Sequence, residues 1–244
     1  VNYYDRLKEL TISLDENTAY FSYADEMGEK CVEPQITQVE LNSYGMSYVI
    51  RLSDGRFIVI DGGWNKESDI ESLYECLQDG AMGKKPVIAS WILTHPHEDH
   101  YLCFIGFMEK YADAVEVQKY MFYFPDVYDF VHYPNLDYKR IEVSTQLNVP
   151  RMLEIMEKTG SPIYTPHTGQ RYQIGDAYCE ILSSMDDTIH CTTNSNAISL
   201  IIRMELAGQV ILWGADGSFS YSRLAEKHGA RLKTDILQIP HHGF

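Results

Sequence analysis

The segment Thr94–His100, which reads THPHEDH, is the most informative stretch of the chain. It places the side chains of an HxHxDH pattern within a few residues of one another. Imidazole and carboxylate are groups that suit zinc, manganese and iron as ligands. Alternate spacing in an extended loop directs His95 and His97 to the same side, and Asp99 and His100 then turn toward a second centre. The segment therefore predicts a paired metal site.

A simpler interpretation of the same segment is a surface cluster of histidines, or histidines that cap the following helix. Imidazoles this close together repel one another when they are protonated, and crowding them stabilises nothing. A shared metal ion removes that repulsion. We therefore favour metal binding as the explanation of the pattern.

The residues around this segment predict alternating strands and helices. Pro86–Leu93 is a nearly continuous apolar run, typical of a strand covered on both faces, and Glu98–Tyr111 has the pattern of a helix. Upstream, Arg56–Ile60 predicts a strand, and a helix is expected from an N-cap at Ser68 to a stop at Gly80. The HxHxDH segment is thus expected between a buried strand and a helix.

The rest of the chain continues in the same way and predicts an α/β fold. Strands group and helices flank them, so we expect two sheets covered by helices. No linker rich in Pro, Gly or Ser divides the sequence, which favours one domain over residues 36–244 after a peripheral N-terminal extension, residues 1–35. Further strands are predicted at Val39–Leu41, Ser47–Leu52, Val115–Phe124, Ile163, Tyr172, Tyr178–Leu182, Ala197–Glu205, Gln209–Trp213 and Asp235–Ile239, and further helices at Pro150–Thr159 and near Tyr221–Lys227.

Composition excludes several classes of protein. With 45% hydrophobic and 23% charged residues the chain is globular, and no window is apolar enough to span a membrane. The net charge of -15 disfavours an extended nucleic-acid surface, although a pocket whose charge is set by metal ions can still take one phosphodiester. The five cysteines never form CxxC, so neither a disulfide framework nor a zinc knuckle is expected.

Three other polar segments stand at the ends of apolar strands, where an active site can assemble. They are Asp61–Gly63, Gly214–Asp216 and His241–Gly243. Each is weak evidence alone, because an Asp-Gly pair after a strand is commonly just a turn. Their order around the HxHxDH segment makes the set more specific.

With these segments in this order, the chain resembles the metallo-β-lactamase superfamily of binuclear metallohydrolases. It is most similar to the soluble domains of ComEC-type competence proteins and their standalone relatives. The resemblance implies an αββα sandwich of two mixed β-sheets flanked by helices. That fold normally continues with another helix and further strands, so two alternatives are open for the C-terminal part: the sequence is truncated, or the protein has no such tail. The resemblance covers residues 36–244 and rests on Tyr44–Ser47, Asp61–Gly63, His95–His100, Asn196–Leu200, Gly214–Asp216 and Pro240–Gly243.

The resemblance also implies a role for each residue of the site. The first metal would be held by His95 and His97, the second by Asp99 and His100, and Asp216 would bridge the two. One of His241 and His242 would complete the second site, with His241 favoured because it follows the strand directly.

Several further residues receive roles by the same comparison. His242 would contact substrate oxygen or supply a proton, so Asp99 and His242 are the predicted catalytic residues. Asn196 is a predicted substrate-binding residue, although it could instead cap a turn before its strand. Asp61 would fix a ligand or a loop through hydrogen bonds. Many superfamily members have one more His for the first metal; the candidates here are His132, His167 and His190, none in a clear motif.

The implied function is hydrolysis by two divalent metal ions, with zinc favoured over manganese or iron. A hydroxide between the ions would attack a phosphodiester. The net charge favours a small diester over single-stranded nucleic acid. Two alternatives stay open: hydrolysis of a carboxyl ester, lactone or β-lactam, and a metal-binding interaction domain without turnover. Oligomeric state is open, as is compartment, since a leader before Val1 could have been removed.

We expect His97→Ala and Asp99→Ala each to abolish metal-dependent hydrolysis while the protein stays folded, because each variant removes a ligand and leaves the apolar core intact. Activity assays with added metal, run beside circular dichroism, check this. Full activity in both variants would refute the assigned centre.

Overall fold

A computed structural model describes residues 32–126, 129, 138–190, 194–220 and 222–243, with the backbone alone for residues 138–147. Most of the predicted extension, residues 1–35, lies outside this part of the chain. The domain boundary therefore stays a prediction.

The first sheet has seven strands and holds the strand that precedes the HxHxDH segment. Its order is β1-β2-β3-β4-β6-β7, with β5 also paired to β4. The pairs β1–β2 and β2–β3 are antiparallel, and the other pairs are parallel. The strands are β1 (Gln35–Gln38), β2 (Ser47–Arg51), β3 (Phe57–Asp61), β4 (Val87–Leu93), β5 (Glu116–Val117), β6 (Tyr120–Phe122) and β7 (Ile163–Tyr164).

The second sheet has five strands in the order β12-β11-β10-β9-β8. All its pairs are antiparallel except β11–β12, which is parallel. Both sheets are therefore mixed. The strands are β8 (Arg171–Ile174), β9 (Ala177–Ser183), β10 (Ile201–Leu206), β11 (Gln209–Trp213) and β12 (Ile236–Gln238).

Five α-helices are found in the described part of the chain. They are α1 (Glu67–Ala81), α2 (Glu98–Tyr111), α3 (Tyr138–Thr159), α4 (Met185–Thr188) and α5 (Leu224–His228). Short 3-10 helices lie at Ser195–Ile198, Gly229–Leu232 and His241–Gly243. Within the described ranges, no helix combines the length and apolar character needed to cross a bilayer.

Alternation along β3 explains the layers. Phe57 and Val59 pack in a core that includes the buried faces of α1 and α2, whereas Ile58 and Ile60 pack in a second core with residues of the other sheet. Successive side chains of a strand point to opposite faces, so one strand serves both cores. Leu224 of α5 packs on the outer face of the second sheet. The predicted arrangement of two mixed sheets flanked by helices is confirmed.

Several element boundaries differ from the sequence prediction. The predicted strand Val115–Phe124 is divided into β5 and β6, and the strand predicted from Ala197 begins only at Ile201, after a 3-10 turn. The first strand lies at Gln35–Gln38, earlier than the predicted Val39–Leu41, since pairing with β2 sets its limits.

Two helix starts were also predicted wrongly. Pro150 lies inside α3, so the preference of proline for a first turn was misleading here. Ser68 is not the N-cap of α1; the extended residue Lys66 holds that position, and its carbonyl accepts hydrogen bonds from the backbone N–H groups of Asp69 and Ile70. In both cases tertiary packing overrode a local signal.

Candidate metal centre

Four polar segments meet at one edge of the sandwich, where strands of both sheets end. Asp61 ends β3, the HxHxDH segment follows β4, Asp216 follows β11, and His241–Gly243 follows β12. The parallel pairs β3–β4 and β11–β12 direct these strand ends the same way. Ligand sites in α/β proteins characteristically form at such carboxyl ends.

The side chains there form two groups with the geometry of metal sites. In each group the candidate ligand atoms lie within 4.8 Å of one another. The first group is His95, His97 and Asp216, and the second is Asp99, His100 and His242.

Asp216 joins the two groups. Its Oδ1 lies 3.2 Å from His100 Nε2, and its Oδ2 lies 3.5 Å from His242 Nε2 and 4.0 Å from His95 Nε2. His242 Nε2 also lies 3.3 Å from Asp99 Oδ2. One carboxylate therefore contacts imidazoles of both groups, as expected of a residue that bridges two cations.

The buried carboxylate of Asp61 orients two of these imidazoles. Its Oδ2 accepts hydrogen bonds from His100 Nδ1 at 2.7 Å and from Thr94 Oγ1 at 2.7 Å, and its Oδ1 accepts one from Thr94 N at 2.8 Å. Because the Thr94 hydroxyl donates to Asp61, its oxygen accepts from His95 Nδ1, 3.2 Å away. In their neutral form both rings thus carry hydrogen on Nδ1 and present a lone pair on Nε2.

The Asp61 backbone is fixed as well. Trp91 Nε1 donates a hydrogen bond to the carbonyl oxygen of Asp61 at 3.0 Å, and the indole ring packs edge-on against Phe104. Asp61 and Trp91 are fully buried. The carboxylate therefore sits at a position set by the core of the sandwich.

The carboxylates of the centre favour positive charge on two of its imidazoles. Burial and the neighbouring His100 and His97 hold the pKa of His95 well below its usual value. Burial alone would lower the pKa of His100, but the charge of Asp61 and contacts with Asp216 raise it to about 10. Contacts with Asp216 and Asp99 raise the pKa of His242 to about 9.

The carboxylates respond in the opposite sense. Burial opposes ionisation of Asp216, yet the nearby His100 and His242 hold its pKa well below the usual range. Burial raises the pKa of Asp61, against hydrogen bonds from His100 and Thr94 that lower it. Positive charge is thus stabilised between Asp61 and Asp216.

The residues present fit divalent metal ions. His95 Nε2 is buried and makes no hydrogen bond within the described part of the chain, and His100 Nε2 and Asp216 Oδ1 are buried atoms that face each other at 3.2 Å without the geometry of a hydrogen bond. Buried polar atoms are rarely left in that state, because an unmade hydrogen bond costs about 1–3 kcal/mol. All three are atoms of the two groups, and nitrogen and carboxylate oxygen are the donors that zinc, manganese and iron take.

Unusual backbone conformations are concentrated at the centre. Asp61, Ala215, His241 and His242 have φ values of 56°, 47°, 53° and 54°, in the left-handed region. Residues other than glycine adopt this region seldom and at a cost of about 1–2 kcal/mol. The ends of β3, β11 and β12 therefore each lead into a strained turn, as is often found at functional sites.

Glycine allows the loop before β2 to approach the start of α2. A Cβ atom on Gly45 would lie 2.6 Å from the carbonyl oxygen of Asp99 and 3.2 Å from Gly63 Cα. Met46 N donates a hydrogen bond to the same Asp99 oxygen at 3.1 Å. The segment Tyr44–Ser47, one of those on which the resemblance rests, thus contacts the helix turn that carries Asp99 and His100.

The final histidine pair divides differently from the sequence expectation. The structure places His242 with Asp99 and His100, whereas His241, the favoured ligand, lies outside both groups. The Asn196 amide nitrogen is 3.2 Å from His241 Nε2, and His241 Nε2 is 4.0 Å from Asp216 Oδ2. Two of the candidate extra histidines are also elsewhere: His167 pairs with Asp186 and His190 is exposed, while His132 lies outside the described residues.

A cleft of about 320 Å³ opens over the centre. The predicted residues Asn196, Asp216, His241 and His242 line it. Tyr44, Pro96, Trp64 and Glu98 complete the wall with His97 and Asp99.

Sequence reasoning missed several residues of the site. Thr94 and Trp91 position Asp61, and Ser195 Oγ hydrogen-bonds to His97 Nε2. Tyr44 and Trp64 line the cleft. The available signal was adjacency, since each lies within a few positions of a predicted site residue or motif glycine.

Comparison with known proteins agrees with this geometry. The chain matches the family model of the metallo-beta-lactamase superfamily over residues 42–170, just over half of its length. The matched range contains Asp61 and the HxHxDH segment, and Asp216 and His242 lie beyond it. The chain belongs to the metallo-beta-lactamase superfamily, whose members are typically metal-dependent hydrolases. No curated protein matches the chain.

Solved structures of low sequence identity also match the chain. YhfI from Bacillus subtilis, a metallo-beta-lactamase fold protein, is 15% identical over 75% of this chain and 63% of its own, with a TM-score of 0.43. The HARLDQ-motif metallo-beta-lactamase of Cronobacter sakazakii is 12% identical over 84% and 79%, with a TM-score of 0.48. Zinc-bound PqqB from Methylobacterium extorquens is 12% identical over 88% and 63%, also at 0.48. The chain thus spans less than two thirds of YhfI and of PqqB.

We expect Asp61→Asn to weaken metal binding less than Asp216→Asn. The amide at position 61 cannot accept all three hydrogen bonds, so ring orientation is lost at a cost of about 10–100-fold in affinity. Asp216→Asn removes a shared anionic ligand, so we expect it to lose more metal affinity than Asp61→Asn. Metal titration of both proteins checks the ranking, and equal metal loss in the two would contradict it.

We expect Gly45→Ala to lower the metal content, because its methyl group would displace the Asp99 carbonyl and the first turn of α2. Elemental analysis measures the bound ions per chain. Gly55→Ala is the matched control: its Cβ meets nothing within 4 Å, but its φ of +81° strains the hairpin by about 1 kcal/mol. If Gly45→Ala kept its full metal content and was as stable as Gly55→Ala, the contact between Gly45 and the Asp99 carbonyl would not be needed for metal binding.

Proposed function

We propose that this protein is a binuclear metal-dependent phosphodiesterase of the ComEC-type branch, acting on a small substrate. The observation that carries the proposal is the pair of ligand groups joined through Asp216 beneath an open cleft. The segments Asn196–Leu200 and Pro240–Gly243 are the basis for the branch.

In this proposal each group holds one divalent ion, with zinc favoured by the histidine-rich donor set. His95 and His97 hold the first, Asp99, His100 and His242 hold the second, and Asp216 is shared. Bound there, such ions would activate water and neutralise charge on the oxygens of the substrate.

The presence of two adjacent ligand groups favours a phosphodiester over an acyl substrate. A phosphodiester has two non-bridging oxygens, which suit two adjacent cations, whereas an ester, lactone or β-lactam has one carbonyl oxygen to stabilise. Neither lysine nor arginine lines the described cleft, so charge neutralisation depends on the ions. The carboxyl ester, lactone or β-lactam reading remains the alternative that the assay below separates.

We assign to His241 the proton-donating role that the sequence analysis gave to His242. The imidazole lines the cleft, and its Nε2 lies beside the Asn196 amide, which orients the ring. In the reaction a P–O bond forms to water oxygen and the P–O bond to the leaving group breaks. Protonated His241 gives a proton to the leaving oxygen, and the attacking water releases one to solvent, from which His241 is protonated again, so that an alcohol and a phosphate monoester are released.

Activity on matched substrates tests this function. Metal-loaded protein with two ions per chain is expected to hydrolyse bis(p-nitrophenyl) phosphate at least tenfold faster, in kcat/KM, than p-nitrophenyl acetate. His242→Ala is expected to lose metal. His241→Ala is expected to retain metal and to lose activity chiefly on diesters with poor alcohol leaving groups, because p-nitrophenolate departs without protonation.

Three results would contradict the proposal. Preference for the acyl ester would support the alternative hydrolase. Two bound ions without turnover on any ester would support a metal-binding interaction domain. Metal loss in His241→Ala, with retention in His242→Ala, would restore His241 as the ligand.

A further inference from the structure

One rim of the cleft carries side chains that metal binding does not use. Tyr44, Trp64 and Glu98 line the cleft beside Asp99 and His242. None of the three belongs to either ligand group. We call these three residues the aromatic-acidic rim.

Close backbone contacts hold the rim together. A Cβ atom on Gly45 would lie 3.2 Å from Gly63 Cα and 2.6 Å from the Asp99 carbonyl oxygen, so the backbones of these three residues are in close contact. Met46 N donates to Asp99 O at 3.1 Å, and Gly63 N donates to His100 O at 3.2 Å. Tyr44 precedes Gly45, Trp64 follows Gly63, and Glu98 precedes Asp99 in the sequence. The three rim side chains therefore all extend from this packed junction next to the candidate metal ligands.

The aromatic members of the rim offer ring faces. The Tyr44 side chain is prominent, with 81% of the residue exposed. Trp64 already contacts a cation of the chain, since Lys66 Nζ lies 5.8 Å from the centroid of its ring. Aromatic faces attract ammonium groups at such distances, and exposed Tyr44 is the ring open to a ligand.

The acidic member of the rim supplies charge. Glu98 has neither a hydrogen bond nor an ion pair from its side chain within the described ranges, and no lysine or arginine lines the cleft. Ions bound to the two groups would offset the charges of Asp99 and Asp216. Glu98 would then be the unmatched negative charge of the cleft, beside a centre that attracts phosphate.

We propose that the aromatic-acidic rim is a subsite for a cationic group, so that the substrate is a phosphodiester bearing a quaternary ammonium or protonated amine. The inference rests on the proposed function, which places the phosphate on the metal centre. Glu98 pairs with the positive charge while the Tyr44 ring covers it. A nucleotide base could also stack on an aromatic ring, but Glu98 would repel the neighbouring phosphates of a nucleic acid.

A pair of isosteric substrates tests the subsite. The cationic substrate is p-nitrophenyl phosphorylcholine, and the neutral one is neohexyl p-nitrophenyl phosphate, in which carbon replaces the quaternary nitrogen. Metal-loaded protein is expected to favour the cationic diester by about tenfold in kcat/KM, the size of a good cation–π and ion-pair site.

Variants assign that preference to the rim. Glu98→Gln and Tyr44→Ala are each expected to lower the ratio of the two kcat/KM values several-fold, while Tyr44→Phe retains it because the ring face is kept. Glu75→Gln, on the exposed surface of α1 outside the cleft, is the control for an equal change in net charge and leaves the ratio unaltered.

The outcomes separate the subsite from the proposed function. Hydrolysis of both diesters at equal kcat/KM would overturn the subsite and leave the phosphodiesterase standing. Faster hydrolysis of single-stranded oligothymidylate, unchanged in Glu98→Gln, would also overturn it in favour of a nucleic acid. If neither diester is hydrolysed, the proposed function fails, and calorimetric titration with phosphorylcholine and neohexyl phosphate still decides the subsite: equal affinities overturn it, and tighter binding of the cation supports it.

Discussion

The carboxylate of Asp61 is the constraint on which the metal centre depends. It is buried beneath the centre and accepts hydrogen bonds from Thr94 and directly from His100, and through Thr94 it also orients His95. A ring whose Nδ1 donates a hydrogen bond keeps its Nε2 lone pair for a metal. One residue at the end of a core strand thereby sets the donor atoms of two ligands that belong to different groups.

Two structural devices bring the remaining ligands to this point. Parallel pairing aligns the ends of β3 with β4 and of β11 with β12, so that Asp216 and His242 meet the HxHxDH segment. Gly45 lets the first hairpin contact the start of α2, which a side chain would prevent. The left-handed conformations at the strand ends are maintained because the packed sandwich holds the turns in place.

The charge of the centre connects its geometry to its chemistry. The carboxylates of Asp61, Asp99 and Asp216 contact the imidazoles of the centre. Without metal, protons on the imidazoles balance the negative charge of these carboxylates, and divalent ions would replace those protons on binding. The protein as a whole is strongly acidic, and the cleft above the centre has no lysine or arginine among its described lining residues. In our proposal, anion binding in the cleft depends on the metal ions, and Glu98 gives the adjoining rim a preference for cations.

The sequence alone determined the fold class and the residues that form the centre's framework. Apolar alternation and the buried run before the HxHxDH segment predicted β3, β4 and α2 nearly to their ends, because these signals are local and strong. The boundaries of β5, β6 and α3 escaped prediction, since they depend on pairing and packing with distant residues.

The residues of the metal centre were likewise predicted only in part from the sequence. The order of the motifs in the sequence is sufficient to identify the candidates Asp61, His95, His97, Asp99, His100 and Asp216. Only the tertiary structure decided that His242 rather than His241 lies with Asp99 and His100, and that Tyr44, Trp64 and Glu98 share one rim. Both facts arise from backbone turns and close approaches between segments far apart in the chain, and local residue patterns carry no record of such distances.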